Sequence, residues 1–352
     1  MTWLNNPALP LCETAQQAAI KRQQQLTKPP GSLGQLESIA ITLAGLQQRE
    51  APQIEKIAIS IFAADHGIAA ENVSAFPQAV TGEMVPNFAS GGAAIAVLAR
   101  HLDASLRVSN VGTINELEAI AGVESVRIAA GTANFHQQPA MTEQQMHAAL
   151  AIGKQHLDDA KAQHCDLWIG GEMGIANTTA ATAMACALLG QPADALTGPG
   201  TGINAATQQH KQQVIEQSLT RHHLDKPLAA DRPLEILQAV GGFEIAALVG
   251  AYLQGAQCGV AMLVDGFIAS VAALTALRIN PDIHPWLLLA HQSAEPGHAA
   301  VVQALDKTPL LQLQMRLGEA SGAAMAAPLL KMACALHNEM ATFDSAEVST
   351  AN

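Results

Sequence analysis

The spacing of hydrophobic positions changes along the chain, and each change marks an element. From Lys56 onward, short and nearly continuous apolar runs alternate with longer alanine-rich segments. Ile57-Ala58-Ile59-Ser60-Ile61-Phe62-Ala63 is the first run, and it ends in Asp65-His66-Gly67. Four more follow. Residues 106–111 end at Gly112, and 166–169 end at Gly170-Gly171-Glu172. Residues 259–264 end at Asp265-Gly266, and 286–290 end at His291-Gln292-Ser293. Runs of this length without polar alternation are the pattern of parallel strands buried on both faces. Gly92–His101, Thr142–Gln163 and Asn177–Leu189 read as the intervening helices. The alternation predicts an α/β fold with a parallel sheet flanked by helices. Before Lys56 the pattern is helical: Thr14–Gln25, a break at Lys28-Pro29-Pro30-Gly31-Ser32-Leu33-Gly34, then a helix through Leu36, Ile39, Leu43 and Leu46. Ser32 with Gln35 three positions on fits a capping box. Pro52 marks a boundary.

Ligands of such sheets bind outside the carboxyl ends of the strands. Asp65, Glu172, Asp265 and Ser293 all follow strands and are expected to share one rim. The stretch Gly171-Glu172-Met173-Gly174-Ile175-Ala176-Asn177-Thr178-Thr179 runs from a strand into a small-residue helix, which exposes helix N-terminal amides to an anion. Asn177 or Thr178 reads equally as a plain helix cap. Gly198-Pro199-Gly200-Thr201-Gly202 is a second glycine loop, with Lys211 nine residues beyond Gly202. Loop plus lysine can cradle a phosphate, although Lys211 alone also reads as an exposed helix charge. Phe76-Pro77 and Met84 to Phe88 offer an apolar patch for a flat ring, or core packing. In Arg316-Leu317-Gly318-Glu319-Ala320-Ser321-Gly322 a single carboxylate stands among small residues, at the expected start of a helix. Gly318, Gly322 and Ala326 would form one bare stripe of that helix. Glu319 there is either a first-turn acid suited to the helix dipole or a poorly hydrated carboxylate able to exchange protons near neutral pH.

Composition narrows the function classes. The 352 residues are 49 % hydrophobic but only 3 % aromatic, and the net charge is −12. No basic face is on offer to a nucleic acid. Neither G-x-G-x-x-G nor G-x-x-x-x-G-K-[ST] is present, which disfavours a dinucleotide-dependent oxidoreductase. A non-catalytic nucleotide sensor would leave Glu319 unexplained. Five scattered cysteines without a C-x-x-C pair argue against a disulfide framework or structural zinc. No basic start leads into an apolar segment, so no signal peptide is expected. The longest apolar run, Cys258–Leu277, contains Asp265 and reads as strand-turn-helix rather than a membrane span. The expected compartment is the cytoplasm.

These pieces resemble one family. The matching stretches are K-P-P-G-S-L-G at 28–34, A-D-H-G at 64–67, G-E-M-G-I-A-N-T-T at 171–179 and V-G-G-F at 240–243. They continue with L-V-D-G-F at 263–267, S-A-E at 293–295 and R-L-G-E-A-S-G-A-A at 316–324. Together they are similar to the nicotinate-nucleotide–dimethylbenzimidazole phosphoribosyltransferases of cobalamin lower-ligand synthesis. The resemblance implies transfer of the phosphoribosyl group of nicotinate mononucleotide to a benzimidazole, without a cofactor or metal. It implies a Rossmann-like sheet in a large domain, residues 53–324. A small helical domain would be built from both chain ends, 1–52 and 325–352, and the protein would be a homodimer. It places Glu319 as general base. Glu172, Met173, Gly174, Asn177 and Thr178 would hold the nucleotide, with Gly200, Gly202 and Lys211 at the phosphate. Phe76, Met84 and Leu317 would wall the base pocket. Some members carry Ser and Gln where this chain has Phe76 and Met84, a departure that bears on acceptor preference.

Overall fold

The computed structural model describes residues 1–225 and 231–349. In chain order the elements are α1 (Glu13–Gln25), α2 (Gln35–Gln47), β1 (Ile57–Ala64), α3 (Ala79–Ser90), α4 (Ala94–His101), β2 (Ser105–Gly112) and β3 (Val123–Ser125). Next come α5 (Glu143–Ala162), β4 (Leu167–Met173), α6 (Asn177–Leu189), α7 (Ala193–Leu196), α8 (Ala205–Arg221), α9 (Pro233–Val240) and α10 (Phe243–Cys258). The chain closes with β5 (Ala261–Val264), α11 (Phe267–Ile279), β6 (Leu287–Leu289), α12 (His298–Leu305) and α13 (Ser321–Glu339).

The strands form one sheet in the order β3-β2-β1-β4-β5-β6, with every neighbouring pair parallel. All five runs became strands: β1, β4, β5 and β6 are largely apolar and buried on both faces, whereas β2 is half-buried at its start and carries Arg107, Ser109 and Asn110. The strand order reverses direction between β1 and β4, whose register runs from Ile57↔Leu167 to Ala63↔Met173. A crevice opens at such a switch point, outside the strand ends. It falls here beside Glu172, with α3, which follows β1, on its other side.

Helices cover both faces. The crossing of α5 and α10 is very close, because Gly153 and Gly250 present bare backbone to it. A methyl group on Gly153 would run into the Ala247 carbonyl, and one on Gly250 into the Leu150 carbonyl. At the chain ends, α1 and the C-terminal half of α13 are tied together. Arg22 donates to the carbonyls of His337 (2.6 Å) and Asn338 (2.7 Å), and Leu26 bridges to Thr342.

Three local expectations are corrected. Ser32 does not cap α2: the N-cap is Gly34, with no side-chain bond, and the Leu33 amide is instead held by Glu37 at 3.0 Å. Gly318 lies outside α13, so the expected stripe Gly318-Gly322-Ala326 is not one helix face. Neither Asn177 nor Thr178 caps α6, whose N-cap is Ala176 in a left-handed conformation (φ 74°).

Candidate active site

A cavity of about 550 Å³ opens at the switch point, over the carboxyl ends of the central strands. Its acidic side chains come from three strand ends and one turn: Glu172 in the last residues of β4, Asp265 after β5, Glu295 after β6, and Glu319 just before α13.

The turn carrying Glu319 is built against backbone preference. Gly318, Glu319 and Ala320 are all left-handed (φ 86°, 59° and 62°). For each of the two non-glycine residues this costs about 1–2 kcal/mol. What holds the turn is contact with β4. Gly171 lets the backbone come close, since a methyl group there would lie 2.6 Å from the Ala320 nitrogen. Gly318 likewise lies against the Glu172 carboxylate, with room for no side chain (2.5 Å from its Oε1 to a hypothetical methyl). The Glu319 amide donates to Glu172 as well. The strained turn and the β4 carboxylate are thus one unit.

Burial then sets the proton affinities. Glu319 is only 7 % exposed, and its carboxyl is pushed up to about 7, first by burial and then by the charge of Asp265. Glu172 is more deeply buried and is pushed well above the ordinary carboxylate range by burial, then by Glu244, Asp265 and Glu319. Its Oε2 accepts a short hydrogen bond from the side-chain Nδ2 of Asn177. Beneath this turn, His66 and Glu244 form a fully buried pair at 2.7 Å.

The cation side differs from the expectation. Lys211 is 1 % exposed and donates to Thr178 Oγ1 at 2.9 Å, close behind Gly200. Thr178 and Gly200 line the cavity, whereas Lys211 and Gly202 do not. Burial lowers the Lys211 amine to about 8, with Glu295 acting in the opposite direction. Arg316 reaches the cavity wall and donates to the Gly200 carbonyl at 2.8 Å. Thr201 Oγ1 accepts from the Ala75 amide at 3.1 Å, which fastens the glycine loop to the segment before Phe76.

The apolar wall is Phe76, Val80 and Met84 on one side and Leu317 on another. Phe76 (54 %) and Leu317 (58 %) are unusually exposed for their type. Phe88, by contrast, is core. The Thr81 hydroxyl accepts from the Ile175 amide at 3.0 Å and so joins α3 to the glycine turn after β4.

Of the expected rim, Glu172, Asp265 and Ser293 meet in this cavity, as do Met173, Gly174 and Asn177. Asp65 does not. It lines a separate hollow with Gln78, Glu83 and Thr113, because its Oδ2 is held by the Ile114 amide at 2.7 Å. Sequence reading assigned no role to Glu295, His291, Thr81 or His298. The S-A-E match at 293–295 was the available signal for Glu295. His298 shapes the same loop: its Nδ1 accepts from the Ser293 amide (2.7 Å), which makes Nε2 the donor to Ser270 Oγ (2.9 Å). No cluster of three or more metal-ligating side chains occurs among the described residues.

Comparison with known proteins identifies the family. The profile of the family described as Phosphoribosyltransferase matches residues 9–348. A nicotinate-nucleotide–dimethylbenzimidazole phosphoribosyltransferase of Pseudomonas putida is 57 % identical over 347 residues, covering 99 % of this chain and 98 % of that protein. One from Xanthomonas oryzae is 57 % identical over 334 residues, 95 % of this chain and 94 % of that protein. Two solved structures from Thermus thermophilus superpose closely. One has the same enzyme name (TM-score 0.89, 41 % identity, 96 % and 99 % coverage). The other is called CobT (TM-score 0.91, 42 % identity, 96 % and 100 % coverage). Agreement over nearly the whole length of both partners, in sequence and in fold, means that this chain belongs to the nicotinate-nucleotide–dimethylbenzimidazole phosphoribosyltransferase family.

Proposed function

We propose that this enzyme transfers the phosphoribosyl group of nicotinate mononucleotide to 5,6-dimethylbenzimidazole or a related base. The products are α-ribazole 5'-phosphate and nicotinate, in cobalamin lower-ligand synthesis. One observation carries the reading beyond family membership: a carboxylate poised near neutral pH, Glu319, in a cavity whose mouth is apolar. The chemistry calls for such a group. Nicotinate departs from a pyridinium and takes the bonding electrons with it, so the leaving group needs little acid help. The unprotonated ring nitrogen of the acceptor forms the new bond to ribose with its in-plane lone pair, and the N–H of the other ring nitrogen gives its proton to Glu319, which leaves a neutral product. Attack from the face opposite the departing ring inverts the anomeric carbon, so a β-nucleotide gives an α-product.

Thr178, Gly200, Asn177 and the turn Met173-Gly174 are the groups we assign to the nucleotide, with Lys211 and Gly202 set back from the cavity wall. Phe76, Met84 and Leu317 are assigned to the acceptor ring. They supply dispersion but few polar partners, and a polar edge buried without one costs about 1–3 kcal/mol. Dimethylbenzimidazole is therefore expected to outcompete adenine. Mass spectrometry of products from nicotinate mononucleotide and a panel of bases tests the assignment. Release of nicotinate without an α-linked nucleotide product would contradict it.

We infer that the enzyme is a cytoplasmic homodimer. Among the described residues no helix is long and apolar enough to cross a membrane. Met325, Pro328 and Met332 form an exposed apolar stripe on α13, and Leu313 is exposed nearby in sequence. Light scattering at micromolar concentration is expected to give twice the chain mass. Residues 1–52 and 325–349 are taken to form the small helical unit, the last three residues, 350–352, lying outside the described residues, although α13 itself runs unbroken across position 325.

A further inference from the structure

α13 begins without a cap of its own. Its N-cap residue is Ala320, which has no side-chain acceptor for the free amides of the first turn. That acceptor comes from another element. Asp265, at the end of β5 and 2 % exposed, takes the Ala323 amide on Oδ1 at 2.7 Å. The first turn it holds follows directly on the left-handed residues Gly318, Glu319 and Ala320.

We propose that Asp265 is a positioning residue for Glu319: it clamps the first turn of α13 and so keeps the strained turn in place, and it stands in the same cavity as a second carboxylate. The proposal rests on Glu319 being the general base. The other charged and titratable neighbours are engaged elsewhere or held neutral. Burial raises the Asp265 carboxyl above its ordinary range, while His291, after β6, faces it at 3.7 Å and acts in the opposite direction, toward the ionised form. Glu172 on β4 is held toward its protonated form, and Glu244 on α10 is paired with His66. Tyr252 on α10 is fully buried and kept protonated by burial, then by Asp265 and Glu172. Arg316, on the Glu319 segment, is engaged by Gly200. Asp265 is the neighbour whose charge acts on Glu319.

Asp265→Asn keeps a side-chain oxygen for Ala323 and removes the charge. The acid limb of its kcat profile is expected to move to lower pH by about one unit. The Glu319 carboxyl, followed by carbon-13 resonance, is expected to move with it. Asp265→Ala also removes the clamp and should lose kcat at least tenfold at every pH. An Asn variant whose acid limb and Glu319 titration both coincide with wild type overturns the proposal. A moved titration with an unmoved rate profile upholds the coupling and instead rejects Glu319 as the base. Should the Asp265 variants not fold, the coupling is read from the other side, because it is reciprocal. In Glu319→Gln the Asp265 titration must shift to lower pH, and no shift overturns the proposal.

Discussion

At the scale of single residues, the proposed chemistry rests on two groups. Glu319 is a strained, buried carboxylate, and both features serve one end: the oxygen is presented to the cavity with its proton affinity near 7. Glu319→Gln keeps shape and hydrogen-bonding reach but not basicity. General-base catalysis contributes about 10²–10⁴-fold, so kcat is expected to fall by that factor with nucleotide KM little changed. In the wild type, activity should decline as pH falls through about 7, where the carboxylate takes up its proton. A variant that keeps more than about a tenth of kcat would mean that the proton leaves elsewhere, with Glu172 the next candidate. Lys211 is the second group. It is buried and bonded to Thr178 Oγ1, one side chain away from the cavity. A phosphate seated on Thr178 and Gly200 would come under its charge. Hydrogen bonds to charged groups contribute about 1.5–3 kcal/mol, so Lys211→Ala should raise KM for nicotinate mononucleotide at least about tenfold. Unchanged KM and kcat would remove Lys211 from the site.

At the scale of elements, most strands were legible because burial on both faces leaves an apolar run with no competing pattern. β3 was not, since Val123–Ser125 is a three-residue edge strand containing a glutamate. Helices were legible in their interiors and less so at their starts. Thr142 and Gln145 do form a capping box on α5. Ser32, with the same local pattern, does not, because Gly31 and Gly34 turn the chain left-handed around it. The Glu319 turn was hidden for a related reason: nothing local marks Ala320 as left-handed, and only contact with Gly171 across the fold makes it so. The His66–Glu244 pair was invisible because its members are 178 residues apart. Close packing, too, appears only in three dimensions, and α5 with α10 gives a test. Gly250→Ala places a methyl group against the Leu150 backbone, which cannot move aside as a side chain end would. Overpacking of this kind costs about 1–3 kcal/mol. Urea unfolding should show that loss. Catalysis by the folded fraction should be largely retained, because neither helix face at this crossing lines the cavity. Full stability in Gly250→Ala would mean that the helices part more easily than their contact suggests.

At the scale of the whole molecule, the active site works against the stability of the fold, and that conflict is measurable. A carboxyl carried from its ordinary 4.5 to about 7 on folding has a definite pH signature. Below about pH 4.5 it is protonated in both folded and unfolded chains and costs nothing. Above about 7 it is ionised in both, and the folded chain bears the full cost of a buried charge beside Asp265. Stability is therefore lost as pH rises from 4.5 through 7, by roughly 3 kcal/mol at most for this group. Other groups titrate in the same range. His156 and His298, buried and lowered to about 4 and about 3, act in the opposite direction and weaken the fold on acidification. Wild-type stability alone consequently says little about Glu319. The difference between wild type and Glu319→Gln isolates it, because the histidines are common to both. Glutamine has no charge to bury, so the variant is expected to be the more stable protein at pH 8.5 and nearly equal to wild type at pH 4.5–5. Residues shaped for catalysis commonly trade stability in this way. Urea unfolding of both proteins at the two pH values decides. Equal stability at pH 8.5 would show that the Glu319 carboxylate is well solvated, and its affinity for a proton near neutrality would then need another source.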